Sequence, residues 1–392
     1  MSKKISFLSA AVSIILVSPL FAAQVNSTWV GGSSGDWETP TNWNPPIVPD
    51  NNLTDSFNVM IDGTSASVSI SMSQFHDIDS LAIAGPVAVG ATPNLQVDGN
   101  LTVPDGATLR VSRGTVGVKP GLLDITGSIT LAPWTELWAD PCISNTGFVQ
   151  LLGARFGSDS VFHNRTTGCI TGFGFLYGFS SLRNDGQIIA TSGALSVASS
   201  VPMLSSGLLA NRPTAALNVL NLADQDGTVI NQGIVEANTG GGVTFEFNLV
   251  NEPNATIKLL GGTLAATKIT QKADANFRGF GGITGNVQIE PNAIIKLTGP
   301  TNVVGDVNIP AGATLEISDG QTLITGHTTC KGTIYLKGGT VIFQGGCDCE
   351  NCNIINEAGL DRNHFDINAD GAVKLDDFAS FAQSWLWQAS WY

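Results

Sequence analysis

A repeat close to twenty residues constrains this chain more than any other feature. The stretches PNATIKL (253–259), ADANFRG (273–279), PNAIIKL (291–297), AGATLEI (311–317) and KGTIYL (331–336) align on a small residue that opens each unit. That residue is Ala255, Ala275, Ala293, Ala313 and Gly332, at steps of 20, 18, 20 and 19, and Ala107 of DGATLRV takes the same role upstream. Within a unit, Ala313, Leu315 and Ile317 alternate with Thr314 and Glu316, and Ala255, Ile257 and Leu259 with Thr256 and Lys258. Successive side chains of a strand point to opposite faces, so each unit has one apolar face it cannot bury alone. Stacking copies at a fixed period gives every strand a neighbour above and below. A sandwich also alternates, but nothing in a sandwich keeps an A-T-[IL] signature in register over five units.

The expected fold is therefore all-β: a parallel β-helix with coils of about twenty residues, spanning 23–345. About sixteen coils would make a rod on the order of 75 Å long. Composition agrees, with 45 glycines, only 13% charged residues and few helix signals. A second recurrence, NTGFVQL (145–151), NDGQIIA (184–190) and NQGIVEA (231–237), reads as coil corners in which Asn and Gly adopt left-handed backbone angles. Residues 195–225 fall off the period and read as an inserted loop or a short helix.

The first 22 residues carry Lys3 and Lys4, an apolar run from about Ile5 to Phe21, and small residues at Ala22 and Ala23, the order of a secretory signal peptide. Ser13, Ser18 and Pro19 interrupt the run and argue against an uncleaved anchor, and no later segment is apolar for long enough to span a bilayer. The protein is expected outside the cell or on its surface. A net charge of −14 disfavours nucleic acid and anionic membrane as partners. Six cysteines (Cys142, Cys169, Cys330, Cys347, Cys349 and Cys352) fit disulfides in an exported chain, with a thiolate zinc site around CDCENC (347–352) as the other reading.

Just after the signal, STWVGGSSGDWETPTNWNPPIVPDN (27–51) concentrates Trp29, Trp37 and Trp43. They read as an N-terminal cap on the first coil, or as a platform on which sugar rings stack. The W-x-G-G-x(4)-W-x(5)-W-x-P pattern, followed by N-x-G-x-[IV] and G-A-T-L units over most of 27–345, resembles bacterial secreted repeat proteins of the autotransporter-passenger type. That resemblance implies an extracellular architecture and no particular enzyme activity.

In residues 346–392, a Cys-rich linker leads to DINADGAVKLDDF (366–378), which keeps the spacing of a calcium loop. Asp366, Asn368 and Asp370 fall at ligand positions 1, 3 and 5, Gly371 at the turn, Ala372 at the backbone-carbonyl position and Asp377 at position 12. Lys374 stands where an oxygen ligand is usual, and Asp377 is shorter than the common glutamate. A run of Asx-turns before a capped helix would produce a similar string. D-x-N-x-D-G-x-V-x-x-x-D followed by F-x-x-x-A-x-x-W is similar to half of a type I dockerin, with one loop where a full dockerin has two. The resemblance implies bound calcium and an attachment module that presents Phe381, Trp385 and Leu386 to a cohesin-like or cell-envelope protein.

Two function classes follow. The first is a non-catalytic surface, adhesive or scaffold protein. The second is an extracellular polysaccharide lyase or hydrolase, or a carbohydrate-binding protein, on the same β-helix. Such catalysis needs paired carboxylates, or bound calcium beside a basic residue. The nearest cluster is FHDIDSLAI, where Asp77 and Asp79, near His76, read as the solvent face of an early strand. His163, His327 and His364 read as isolated surface or turn residues.

Overall fold

The computed structural model describes residues 23–52, 54–64, 67–199, 203–221, 228–349 and 351–357. Its 37 strands form one continuous sheet wound into a β-solenoid of about 14 coils. Three columns of short parallel strands make the sides. The first begins with Ala23–Trp29 and Asp55–Asp62 and runs through Cys142–Asn145 and Val161–Asn164 to Cys347–Asp348. The second carries the alanine units and ends at Asn353–Asn356. The third ends at Thr340–Phe343. The stack thus runs past residue 345 and takes in the Cys-rich stretch as its last rung.

The strand alternation is as the repeat demands. Ile294–Val304 alternates exposed and buried residues along its whole length. The opening residues form one column: Thr256 pairs with Asn276, Ile294 with Thr314 and Thr314 with Thr333, which stacks Ala255, Ala275, Ala293, Ala313 and Gly332 rung on rung. The Asn276, Thr314 and Thr333 N–H groups donate to the carbonyls of Ala255, Ala293 and Ala313 at 2.8–2.9 Å. The column continues toward the N-terminus as Gly233, Gly207, Gly186, Gly168, Gly147, Gly127 and Ala107.

Residues 195–225 require a correction. Leu204–Ser205, Leu208–Asn211 and Ala216–Asn221 supply three sides of an ordinary coil, with no inserted loop or helix among the described residues. The period slips because Ser206–Gly207 replaces the N-x-G corner, and because the chain takes 26 residues (233 − 207) to reach the next corner glycine.

The two ends differ. At the N-terminal end an aromatic cluster closes the first coil. Trp29, Trp37 and Trp43 are buried, with Trp29 and Trp37 packed edge-on against Trp43 at 5.0 and 4.6 Å. Each indole N–H donates to a backbone carbonyl, of Gly32, Pro49 and Trp37 respectively. At the other end the last rung keeps Ile342, Ile354 and Ile355 exposed. A Cys330–Cys352 disulfide ties that rung to the coil beneath it, and the Cys347 and Cys349 sulfurs also lie at bonding distance. No helix among the described residues is long and apolar enough to cross a membrane.

Candidate functional site

The residues singled out in the sequence divide sharply. The calcium-loop positions Asp366, Asn368, Asp370, Ala372 and Asp377, and the docking positions Phe381, Trp385 and Leu386, lie outside the described residues. The three N-terminal tryptophans are together, and their rings are packed on one another with at most 6% of each residue exposed. No indole face there is open for a pyranose to stack on. Among the described residues no three of His, Cys, Asp and Glu gather as a metal ligand set. Cys142 and Cys169 are free thiols on different sides of the coil, and burial raises the pKa of each.

Beside the part-exposed Asp77 and Asp79, His76 is buried. It stacks on Trp37, with Nε2 3.3 Å from Glu38 Oε1 and Nδ1 3.8 Å from Asp50 Oδ2. Glu38 and Asp50 also accept backbone N–H groups of Ser73, Gln74 and Asp77. The cluster thereby clips the cap onto the next coil. Burial, aided by the charge of Asp98 and a hydrogen bond with it, pushes the Asp77 carboxyl up to about 6. His163 and His327 pair with Asp185 and Asp348 at 2.7 and 3.1 Å.

Sequence reasoning did not find the buried amide ladder. Asn145, Asn164, Asn184, Ser205, Asn231, Asn251 and Gln271 occupy one interior position in successive coils, and all are fully buried. Amide donates to amide at 2.8 Å (Asn145 to Asn164), 2.7 Å (Asn164 to Asn184), 2.7 Å (Asn231 to Asn251) and 2.8 Å (Asn251 to Gln271). The signal was the asparagine of the N-x-G corners, but the left-handed reading of those corners was wrong. Positive φ belongs instead to Asn254, Asp274 and Asn292, one residue before each alanine.

Outward-facing chemistry is sparse. On the third column, Trp138 lies over Gly117 and Tyr177 over Gly157, and the Tyr177 hydroxyl donates to Glu136 at 3.2 Å. A polar hollow of about 260 Å3 at Lys268, Asp306 and His327 holds one carboxylate, Asp306, whose Oδ1 accepts the His327 N–H.

The second column carries a different arrangement. Lys258, Arg278 and Lys296 stand at the same outward position in three successive coils, with Glu236 one rung before them and Glu316 one rung after. Lys258 Nζ lies 3.6 Å from Glu236 Oε2 and Lys296 Nζ 3.5 Å from Glu316 Oε2. Arg278 makes no ion pair among the described residues. Beside it lies a mainly apolar hollow of about 360 Å3 formed with Leu260, Phe280 and Thr298, with the paired Glu236 and Lys258 at its edge. The signal was present in the aligned units, where PNATIKL, ADANFRG and PNAIIKL place K, R and K three residues after the alanine. In comparisons with known proteins, the chain matches no family model, no curated protein and no solved structure.

Proposed function

We propose that the protein is an exported, non-catalytic rod that serves as a surface, adhesive or scaffold protein, held in place by the calcium loop of its C-terminal module. One observation carries the reading. The polar groups of the body are tied along the rod axis, from coil to coil, through the buried amides and through pairs such as Lys272 with Glu252. Such ties serve length and stiffness, which a spacer or display surface needs. In this reading Asp366, Asn368, Asp370, the Ala372 carbonyl and Asp377 hold calcium, and the segment that follows offers Phe381, Trp385 and Leu386 to a cohesin-like or envelope partner.

Calorimetric titration of the full mature chain tests it. One calcium ion should bind, and Asp370→Ala should abolish that binding without changing the far-ultraviolet circular dichroism of the rod. Capture by a cell-envelope fraction should require calcium and fail for Trp385→Ala. Absence of calcium binding would remove the attachment module. Release of unsaturated or reducing ends from pectin or alginate would replace the non-catalytic reading with the polysaccharide-degrading one.

A further inference from the structure

The geometry points to a binding strip for an acidic polysaccharide along the second column, centred on Arg278. The inference rests on the reading of the rod as a binding surface and is independent of the calcium module.

The chain has 18 basic residues against 32 acidic ones, yet three of the basic residues are stacked without an intervening acid. Adjacent rungs are ~4.8 Å apart. Like charges at facing positions repel, and alternating Lys with Glu would serve the sheet better. Fold stability therefore does not account for the arrangement. The two outer lysines are drawn toward Glu236 and Glu316, which leaves the central guanidinium without a carboxylate.

The neighbouring surface is shaped for more than charge. Leu260 and Phe280 are 42% and 40% exposed, although each could have been polar at no cost to the core. The Phe280 ring is accommodated by glycines on either side: a Cβ at Gly261 would sit 3.2 Å from the ring, and one at Gly299 3.0 Å from the Phe280 Cβ. A guanidinium with an apolar ring beside it matches a sugar acid. The carboxylate takes the planar fork of Arg278, and the carbon face of the pyranose rests on Phe280 and Leu260. A chain of such sugars would bring further carboxylates to Lys258 and Lys296. The three cations span two rungs, roughly 10 Å, so they do not converge on a single phosphate. The strongly acidic remainder of the rod repels any polyanion, so binding is confined to this strip.

The test is titration of the full chain with polygalacturonate in the presence of a chelator, so that calcium bridging contributes nothing. Binding should weaken with salt and should be absent for a neutral dextran of similar length. Arg278→Gln, at an exposed site, should weaken binding by about tenfold or more, Arg278→Lys by less, and Arg155→Gln, at a residue that pairs with Glu136 on the third column, not at all. Asp370→Ala should leave this binding intact, which separates failure of the strip from failure of the tail. Equal affinity of Arg278→Gln and the parent, or no binding of polygalacturonate, alginate or dextran sulfate at low salt, would overturn the proposal.

Discussion

The corners after Asn145, Asn184, Ser205 and Asn231 and those after Gln271, Ile289 and Ile309 join the same two sides of the coil in different ways. In the first set the strand ends on a buried polar side chain, one residue follows, and a glycine opens the next strand. Both N–H groups of the corner then donate to one carbonyl of the coil below: Asp185 and Gly186 to Asn164, and Ser206 and Gly207 to Asn184. In the second set the interior residue is apolar at Ile289 and Ile309 and an amide at Gln271. There a longer turn with a left-handed third residue (Asp274, Asn292, Gly312) returns the chain to an alanine. The Ala275, Ala293 and Ala313 N–H groups close those turns on the carbonyls of Lys272, Glu290 and Pro310. The polar ladder does not set the corner, since the Asn251 amide precedes a long turn to Ala255 and Cys330 a tight corner to Gly332, but a tight corner leaves no space for a methyl group. Gln271 marks the junction, since its amide accepts from Asn251 and donates to the Ala275 carbonyl.

The largest expected effect exploits that difference at a shared position. A Cβ on Gly207 would fall 1.8 Å from the Gly186 carbonyl oxygen, so Gly207→Ala must displace backbone. It should cost about 3 kcal/mol. The reciprocal change in the other half, Ala313→Gly, should cost about 1 kcal/mol, mainly through chain entropy. In a solenoid each coil contacts only its neighbours, so hydrogen exchange should accelerate around residues 184–211 in the first variant and not at 293–317. Equal losses would show that the corner glycines are not selected by close approach.

A smaller effect is expected from the ladder itself. Asn164→Ile, with the residue type that fills this position at Ile289, leaves the Asn145 amide without an acceptor and the Asn184 oxygen without a donor. The cost is expected at about 2 kcal/mol, set by the orphaned polar groups more than by volume. Denaturant unfolding of this variant beside Ile309→Val, an ordinary trimming in the apolar set at about 1 kcal/mol, gives the measure.

Much of this contrast could be read from the chain, and the unread part has physical causes. Alanine units repeat with the strand period, and the structure stacks Ala255, Ala293 and Ala313 as the repeat implied. The N-x-G corners were recognised as a recurrence, but Asn and Gly serve two different needs. One is the left-handed backbone of a turn, which belongs to Asn254. The other is a buried amide beside a close contact, which belongs to Asn145 and Gly147. Composition cannot separate these, because only the fold decides which corner faces inward. The Lys258, Arg278 and Lys296 strip was equally present in the aligned units. It acquires meaning only when register makes the three residues neighbours. The coil through Leu204 was hidden because Ser205 stands in for asparagine in a unit of unusual length.

The subtlest difference between the halves concerns acid. Asp185 is the middle residue of the Asn184–Gly186 corner and reaches along the stack to three partners. Burial pushes its carboxyl up, but hydrogen bonds from Ser206, His163 and Arg183, with the Arg183 charge, outweigh that and hold it at about 2. A carboxylate whose folded pKa lies below its unfolded value stabilises the fold above pH ~4, and that contribution disappears as the pH falls toward 2. Hydrogen exchange at residues 181–207 should therefore quicken between pH 4 and 2, after correction for the intrinsic pH dependence of exchange. Asp185→Asn should remove most of the pH dependence there while leaving 293–317 as in the parent chain. Loss of protection in both regions at the same pH, in parent and variant alike, would mean that the acid response belongs to the whole stack and that this corner contributes no local tie.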